Sequence, residues 1–158
     1  MRERLTARVL LLDPEGRILL MKGRLPSRAD GPGGWFTVGG GANPGETLLA
    51  AARREVLEET GFAQVDFGPV VWLHEAVHLL EGEAVLFKES YVVAFCAGEE
   101  PSRDGWDDAE RRLMDDIRWW RAEDLAATLE PVYPQGLAAM LPDIIARRYP
   151  ARPSVITA

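Results

Sequence analysis

The chain has 158 residues, of which 47% are hydrophobic, so it can bury the core of one domain without disulfide or metal staples. A charged fraction of 27% beside this apolar content excludes a wholly disordered chain. The formal net charge of −7 opposes binding to nucleic acid and to anionic membranes, so the sequence predicts neither partner. We expect a single domain over residues 1–158.

Cysteine content and hydropathy bear on the cellular compartment. The single cysteine, Cys96, cannot form an internal disulfide, which fits a reducing environment. The apolar run at residues 9–12 stops at Asp13 and is too short for a secretion signal. No run approaches the length of a membrane span. These features predict a soluble, cytoplasmic protein.

The N-terminal part of the chain predicts strands and one loop. Two β-prone runs, residues 7–12 and 17–21, flank a turn-forming Asp-Pro-Glu-Gly sequence and predict a hairpin. Residues 22–34 combine basic residues with prolines and glycines, which predicts an exposed loop. A short strand is expected at residues 35–38.

Residues 47–60 carry the signals of a helix at both ends. Thr47 is a suitable N-cap, and Gly61 can adopt the left-handed conformation that ends many helices. Apolar residues spaced at three and four positions predict the buried side of this helix. They are Leu49, Ala52 and Val56.

The second half of the chain predicts a long hairpin followed by shorter elements. The β-prone runs at residues 65–80 and 84–97 form that hairpin. Strands and helices interleave, so we expect an α/β (α+β) fold with a mixed sheet flanked by helices. The remaining expected elements are a helical turn at 110–114, a final strand at 117–120, helices at 122–128 and 135–148, and a frayed tail at 150–158.

An acidic cluster is the strongest indication of chemistry. Glu55, Glu58 and Glu59 lie at i, i+3 and i+4, so their carboxylates crowd one side of the predicted helix. Like charges repel at this spacing, and the negative end of the helix dipole disfavours them further. A divalent cation offsets both costs, and Mg²⁺ prefers oxygen ligands of this kind. Arg54 is within i, i+4 reach of Glu58 and can hold a carboxylate in place.

Three glycines precede this helix. Gly39, Gly40 and Gly41 can bring a bare carbonyl or amide close to a metal ion or a phosphate. Gly40 and Gly41 are therefore candidate substrate-binding residues. A diphosphate site between the glycines and the glutamates follows from this placement.

The glycines and glutamates belong to one longer pattern. Residues 40–62 match Gly-x5-Glu-x7-Arg-Glu-U-x-Glu-Glu-x-Gly-U at every position, where U is an aliphatic or bulky apolar residue. This pattern resembles the Nudix box, and the chain is identified as a member of the Nudix (MutT-like) hydrolase family. The matching residues are Gly40, Glu46, Arg54, Glu55, Val56, Glu58, Glu59, Gly61 and Phe62.

The resemblance implies a fold, a reaction and a set of roles. The fold would be the Nudix α/β/α sandwich, and the reaction hydrolysis of a diphosphate linkage in a nucleoside diphosphate derivative with Mg²⁺ or Mn²⁺. By motif position, Glu55, Glu58 and Glu59 would ligate the metal together with the Gly39 carbonyl. Arg54 would orient the carboxylates, so Arg54, Glu55 and Glu58 are the expected catalytic residues.

A further acid often comes from beyond the box in similar enzymes, and two regions offer candidates. Asp107, Asp108 and Glu110 precede the strand expected at residues 117–120. Glu89 shares a strand face with apolar residues, so it is either a functional acid or a sign that this face opens to the site.

The substrate stays open at this level. Lys22, Arg24 and Arg28 either steer phosphates or are solvated loop residues. The resemblance leaves nucleoside triphosphates, ADP-ribose, nucleotide sugars and dinucleoside polyphosphates as candidate small-molecule substrates. The alternative function is a non-catalytic nucleotide-binding module, which the intact box disfavours. Both a monomer and a homodimer are compatible with the sequence.

Overall fold

A mixed β-sheet is the centre of the structure, a computed structural model that describes residues 1–24 and 32–157. Its strands are β1 (Arg2–Leu12), β2 (Ile18–Gly23), β3 (Gly34–Gly41), β4 (Asp66–Leu80), β5 (Glu83–Phe95), β6 (Met114–Trp120), β7 (Val132–Tyr133) and β8 (Ser154–Val155). The helices are α1 (Leu48–Thr60), α2 (Asp108–Leu113), α3 (Ala122–Ala127) and α4 (Leu137–Ile145). The strand order is β6-β2-β3-β1-β5-β4-β8, and β7 pairs with β3.

Helices pack on both faces of this sheet. Successive side chains of a strand point to opposite faces, so β1 contributes to two cores. Val9 and Leu11 belong to the core that contains the buried side of α1, and Leu10 and Leu12 belong to the core that contains α3 and α4. The expected α/β/α sandwich with a mixed sheet is therefore confirmed.

The position of β1 within the sheet brings two distant segments together. It is antiparallel to β3, with Arg8 opposite Gly39, and parallel to β5, with Thr6 opposite Glu89. The glycines of β3 and the middle of β5 therefore lie on either side of the same part of β1.

The first hairpin forms at its turn only. The Asp13 carboxylate accepts hydrogen bonds from the backbone nitrogens of Glu15 and Arg17, but Leu12 and Ile18 are the one pair in register between β1 and β2 in the described part of the chain. The strands separate because β1 pairs with β3 and β5, whereas β2 pairs with β3 and β6. Strand β2 also includes residues 22 and 23, which were expected in a loop.

Helix α1 agrees with its local signals at both ends. Thr47 Oγ1 accepts a hydrogen bond of 3.1 Å from Ala50 N, and Gly61 has a φ of 81°. Val56 is buried as expected, but Leu49 is 46% exposed, so its expected place in the core is wrong. The buried stripe instead follows two small adjacent residues, Ala51 and Ala52, and ends at Glu59 and Thr60.

The expected long hairpin of β4 and β5 is confirmed. The tail beyond it is not wholly frayed, because β8 pairs parallel to β4 and Ile156 N donates a hydrogen bond of 2.9 Å to Leu73 O. The free edge of β4 offers unpaired backbone groups, and the tail satisfies some of them.

The elements between β5 and the tail begin and end differently from their expected bounds. Helix α2 starts before residue 110 because Asp107 caps it, and α4 is shorter than residues 135–148. Strand β6 is not the last strand, since β7 and β8 follow it. Within residues 1–24 and 32–157, no helix has both the length and the apolar character needed to cross a bilayer.

Candidate active site

A cavity of about 570 Å³ opens where α1, α2, β1, β3 and β5 meet. Its wall carries charges of both signs. The acidic residues that line it are Glu55, Glu58, Glu59, Glu89, Asp107 and Glu110, and the arginines are Arg4, Arg8 and Arg54.

Three of the carboxylates form a compact group. Oxygen atoms of Glu55, Glu59 and Glu110 all lie within 4.8 Å of one another. Burial raises the pKa of Glu59 well above its ordinary value, and the nearby Glu55 charge and a hydrogen bond with Glu110 raise it further. Crowded carboxylates in a buried place are stabilised by a hard cation, which accepts oxygen ligands. These residues therefore fit a divalent metal ion.

Glu58 lies outside this group, although we expected it to ligate the metal with Glu55 and Glu59. Its side chain is 44% exposed, and its Oε2 lies 3.4 Å from a terminal nitrogen of Arg54. Glu55 and Glu59 are one helical turn apart and Glu58 is offset from them around the helix. The third carboxylate of the group comes from Glu110, which we expected only as one of several possible additional acids.

The glycines of β3 allow the carboxylates to approach the backbone. Gly39 N donates a hydrogen bond of 2.8 Å to Glu59 Oε1. Gly39 has a φ of 140°, and a Cβ atom there would lie 2.0 Å from the Ala7 carbonyl oxygen. At Gly40, a Cβ atom would lie 2.6 Å from Glu55 Oε1. Larger residues at either position would thus displace backbone or a carboxylate.

Arg54 connects the helix to the glycine segment. Its Nε and one terminal nitrogen each donate a hydrogen bond of 2.9 Å to the two oxygens of Glu46. Its terminal nitrogens also donate to Glu55 Oε1 at 2.9 Å and to the Gly41 carbonyl at 3.0 Å. The hydrogen bonds from Arg54 are the main reason that the pKa of Glu46 falls to about 2. Arg54 is therefore placed to hold Glu55 in a fixed orientation.

Helix α2 delivers the acidic residues that lie beyond the box. Asp107 Oδ1 accepts a hydrogen bond from Glu110 N, and Glu110 Oε1 accepts one from Asp107 N, which is a capping box. Asp107 and Glu110 line the cavity, whereas Asp108 is exposed and is not part of its described lining. The Asp-x-x-Glu spacing in the sequence is the signal that marks this helix start.

Glu89 also lines the cavity, and both of its oxygens have partners. Oε2 accepts a hydrogen bond of 2.8 Å from Arg8 Nε, and Oε1 lies 3.0 Å from His74 Nδ1. Burial alone would raise the pKa of Glu89, but the Arg8 charge and the hydrogen bonds from Arg8 and His74 lower it.

Residues of β1 are a part of the wall that sequence reasoning missed. Arg4, Thr6 and Arg8 alternate along the strand and all line the cavity. The signal that could have found them is the alternation of polar residues at positions 4, 6 and 8, which leads into the β-prone run at residues 7–12. Thr6 Oγ1 is buried and has no hydrogen-bond partner among the described residues.

The basic residues near the end of β2 lie elsewhere. Neither Lys22 nor Arg24, which either steer phosphates or are solvated residues, is part of the described lining of the cavity. Lys22 Nζ lies 2.6 Å from Glu130 Oε1, and Glu130 also accepts a hydrogen bond from Trp35 Nε1. Arg28 falls outside the described residues.

Comparison with family models shows the family of this chain. The chain matches the family model of the NUDIX domain over residues 2–143. Among the curated proteins, none matches it.

Solved structures of the same fold cover most of the chain. The MutT protein from Methanosarcina mazei Go1 is 20% identical, with a TM-score of 0.61, over 93% of this chain and 95% of that one. The ADP-ribose pyrophosphatase from Streptococcus suis 89-1591 is 16% identical, with a TM-score of 0.60, over 96% and 97% of the two chains. The E. coli dihydroneopterin triphosphate pyrophosphohydrolase is 17% identical, with a TM-score of 0.64, over 93% and 99%.

The matched region contains the glycines, helix α1 and the acids of α2, and the structural likeness extends over nearly the whole chain. The chain belongs to the NUDIX domain family, the family of the Nudix pyrophosphohydrolases.

Proposed function

We propose that this protein hydrolyses a diphosphate linkage in a nucleoside diphosphate derivative, with Mg²⁺ or Mn²⁺ as its cofactor. The observation that carries the proposal is the group of Glu55, Glu59 and Glu110 at one wall of a cavity of about 570 Å³. A cavity of this size suits a ligand as large as a mononucleotide. Residues 1–158 would act as a single domain.

Different residues of the chain would bind the metal ion and orient its ligands. The cation would be held by Glu55, Glu59 and Glu110. The family motif implies two further ligands, Glu58 and the Gly39 carbonyl. When bound, the cation neutralises charge on the diphosphate and lowers the pKa of a water molecule. Arg54 keeps Glu55 in place through its hydrogen bond of 2.9 Å.

We expect one of the acids of α2 or of the box to accept the proton of the attacking water. Asp107 and Glu110 line the cavity beside the carboxylate group. Glu89 is unsuited to this role because Arg8 and His74 occupy both of its oxygens.

The substrate class is supported by family membership and by the activities for which structural neighbours are named. These include an ADP-ribose pyrophosphatase, a UDP-X diphosphatase and a dihydroneopterin triphosphate pyrophosphohydrolase. The substrates in question all contain a diphosphate linked to a further group. We therefore propose nucleoside triphosphates, ADP-ribose, nucleotide sugars and dinucleoside polyphosphates as the substrates to test.

The test is a hydrolysis screen of the purified protein with Mg²⁺ and with Mn²⁺ against these four classes, with products identified. Glu55→Gln should abolish turnover, whereas Glu123→Gln, which changes an exposed residue of α3, should not. Nucleotide binding by thermal shift without cleavage of any compound would instead identify a non-catalytic binding module and overturn the proposal.

A further inference from the structure

Arg8 is a cation held in a fixed place on the cavity wall. Its side chain is only 13% exposed, and its Nε donates a hydrogen bond of 2.8 Å to Glu89 Oε2. A terminal nitrogen lies 3.5 Å from the Gly39 carbonyl oxygen. A buried guanidinium group is costly to desolvate, and the ion pair with Glu89 offsets part of that cost.

Glu89 is itself fixed from the other side. Its Oε1 lies 3.0 Å from His74 Nδ1, and the two side chains are 16% and 14% exposed. Glu89 and His74 are opposite each other in the register of β5 and β4, and Glu89 is opposite Thr6 of β1. Contacts therefore run across three adjacent strands, from His74 through Glu89 to Arg8. His74 is not part of the described lining of the cavity.

Gly39 separates Arg8 from the acidic group. The nitrogen of Gly39 donates to Glu59, and its carbonyl oxygen faces Arg8. The Arg8 guanidinium group and the candidate metal ligands therefore flank the same residue. The negative charge of Glu59 favours the charged form of Arg8. A diphosphate bound to a metal at the carboxylates would extend its remaining negative oxygens toward such a cation.

The guanidinium group retains donors for a ligand. It has five N–H groups, and within residues 1–24 and 32–157 its hydrogen bonds are those to Glu89 and to the Gly39 carbonyl. The fork geometry of the group matches phosphate oxygens.

We propose that Arg8 binds a non-bridging phosphate oxygen of the substrate and that Glu89 and His74 are positioning residues that hold Arg8 for this contact. The inference rests on the proposed function, since it concerns the diphosphate of that substrate. It assigns to Glu89 a role other than proton transfer. It also assigns a role in substrate binding to a histidine outside the cavity wall.

The first experiment separates binding from chemistry. Arg8→Lys keeps the charge but removes the fork, so KM for the substrate found in the screen should rise about tenfold or more while kcat stays within about threefold. Arg152→Lys, in the exposed tail, is the matched control and should change neither value. Thermal unfolding of each variant checks that it folds.

The second experiment tests the positioning residues. His74→Ala should raise KM, and His74→Asn, which can still donate to Glu89, should restore it at least in part. Glu89→Gln should likewise raise KM and leave the pH profile of kcat unchanged. A fall of about 100-fold or more in kcat with KM unchanged would identify Glu89 as the proton acceptor and overturn the inference.

A binding measurement distinguishes this inference from the proposed function. The probe is the non-hydrolysable α,β-methylene ADP, titrated by calorimetry in Mg²⁺ into the wild type and Arg8→Lys. Weaker binding by the variant supports the inference even where the wild type cleaves nothing, an outcome that would overturn the proposed function alone. Equal binding by both proteins, or no binding by either, overturns the inference even where the wild type is active.

Discussion

Gly39 and Glu59 are joined by a hydrogen bond of 2.8 Å from the glycine nitrogen to Glu59 Oε1. This bond ties the end of β3 to the last turn of α1. The Glu59 carboxylate is thereby directed toward Glu55 and Glu110 although it is only 5% exposed. A backbone donor thus helps to satisfy a carboxylate whose burial is otherwise costly.

A residue with a side chain would be strained at Gly39. Gly39→Ala combines a φ of 140° with a Cβ placed 2.0 Å from the Ala7 carbonyl oxygen. We expect it to lower the free energy of unfolding by about 2–4 kcal/mol. Gly82→Ala is the control, because Gly82 has a φ of 79° and open space around it, and it should cost only about 1–2 kcal/mol. Urea denaturation measures both, and equal losses would contradict the predicted backbone collision.

The pKa of Glu46 gives a prediction about pH. Arg54 lowers it to about 2, below the ordinary value near 4.5. The stability due to this pair is therefore fully present above about pH 4.5 and is lost as the pH falls through about 2. Carboxyl NMR titration should give a midpoint near 2 for the resonance that disappears in Glu46→Gln. A midpoint near 4 would show that the bidentate contact with Arg54 does not persist in solution.

Local signals explain why α1 was predicted closely. Thr47 and Gly61 act within a few residues of their own positions, and both perform the expected capping. The course of β1 depends instead on strands that follow much later in the chain. No local pattern in residues 7–12 specifies that β5 will pair with β1, so the sequence indicated a hairpin where the structure has a central strand.

At the candidate site, too, local sequence patterns predicted only part of the structure, because they did not indicate that Glu110 joins the carboxylate group. The box indicated which glutamates crowd one side of α1, but Glu110 reaches them through tertiary packing. Trp106 Nε1 donates a hydrogen bond of 2.8 Å to the Glu59 carbonyl, which fixes the start of α2 against the end of α1. Gly105 packs against the Glu58 carbonyl, where a Cβ atom would come within 2.6 Å. Neither contact has a signature in local spacing.

The composition of the carboxylate group predicts how metal binding responds to substitution. Glu110→Gln removes one of three grouped carboxylates, so the affinity for Mn²⁺ should fall about tenfold or more. Asp108→Asn changes an exposed acid of the same helix and should leave the affinity within about twofold. Calorimetric titration with Mn²⁺ compares the two variants. Equal weakening would mean that the general negative charge of α2, rather than a specific ligand, attracts the ion.

Two buried threonines should respond differently to replacement by valine. Thr60 Oγ1 donates to the Val56 carbonyl at 2.6 Å and accepts from Phe62 N at 3.0 Å, so Thr60→Val should lower the free energy of unfolding by about 1–3 kcal/mol. Thr6 Oγ1 is buried without a partner among the described residues. Removing an unsatisfied hydroxyl relieves a desolvation cost, so Thr6→Val should leave the free energy unchanged or raise it by up to about 1 kcal/mol. Urea denaturation of the two variants makes the comparison. A loss for Thr6→Val as large as that for Thr60→Val would show that the Thr6 hydroxyl has a bound partner in solution, which at this place in the cavity wall would be an ordered water molecule or a ligand.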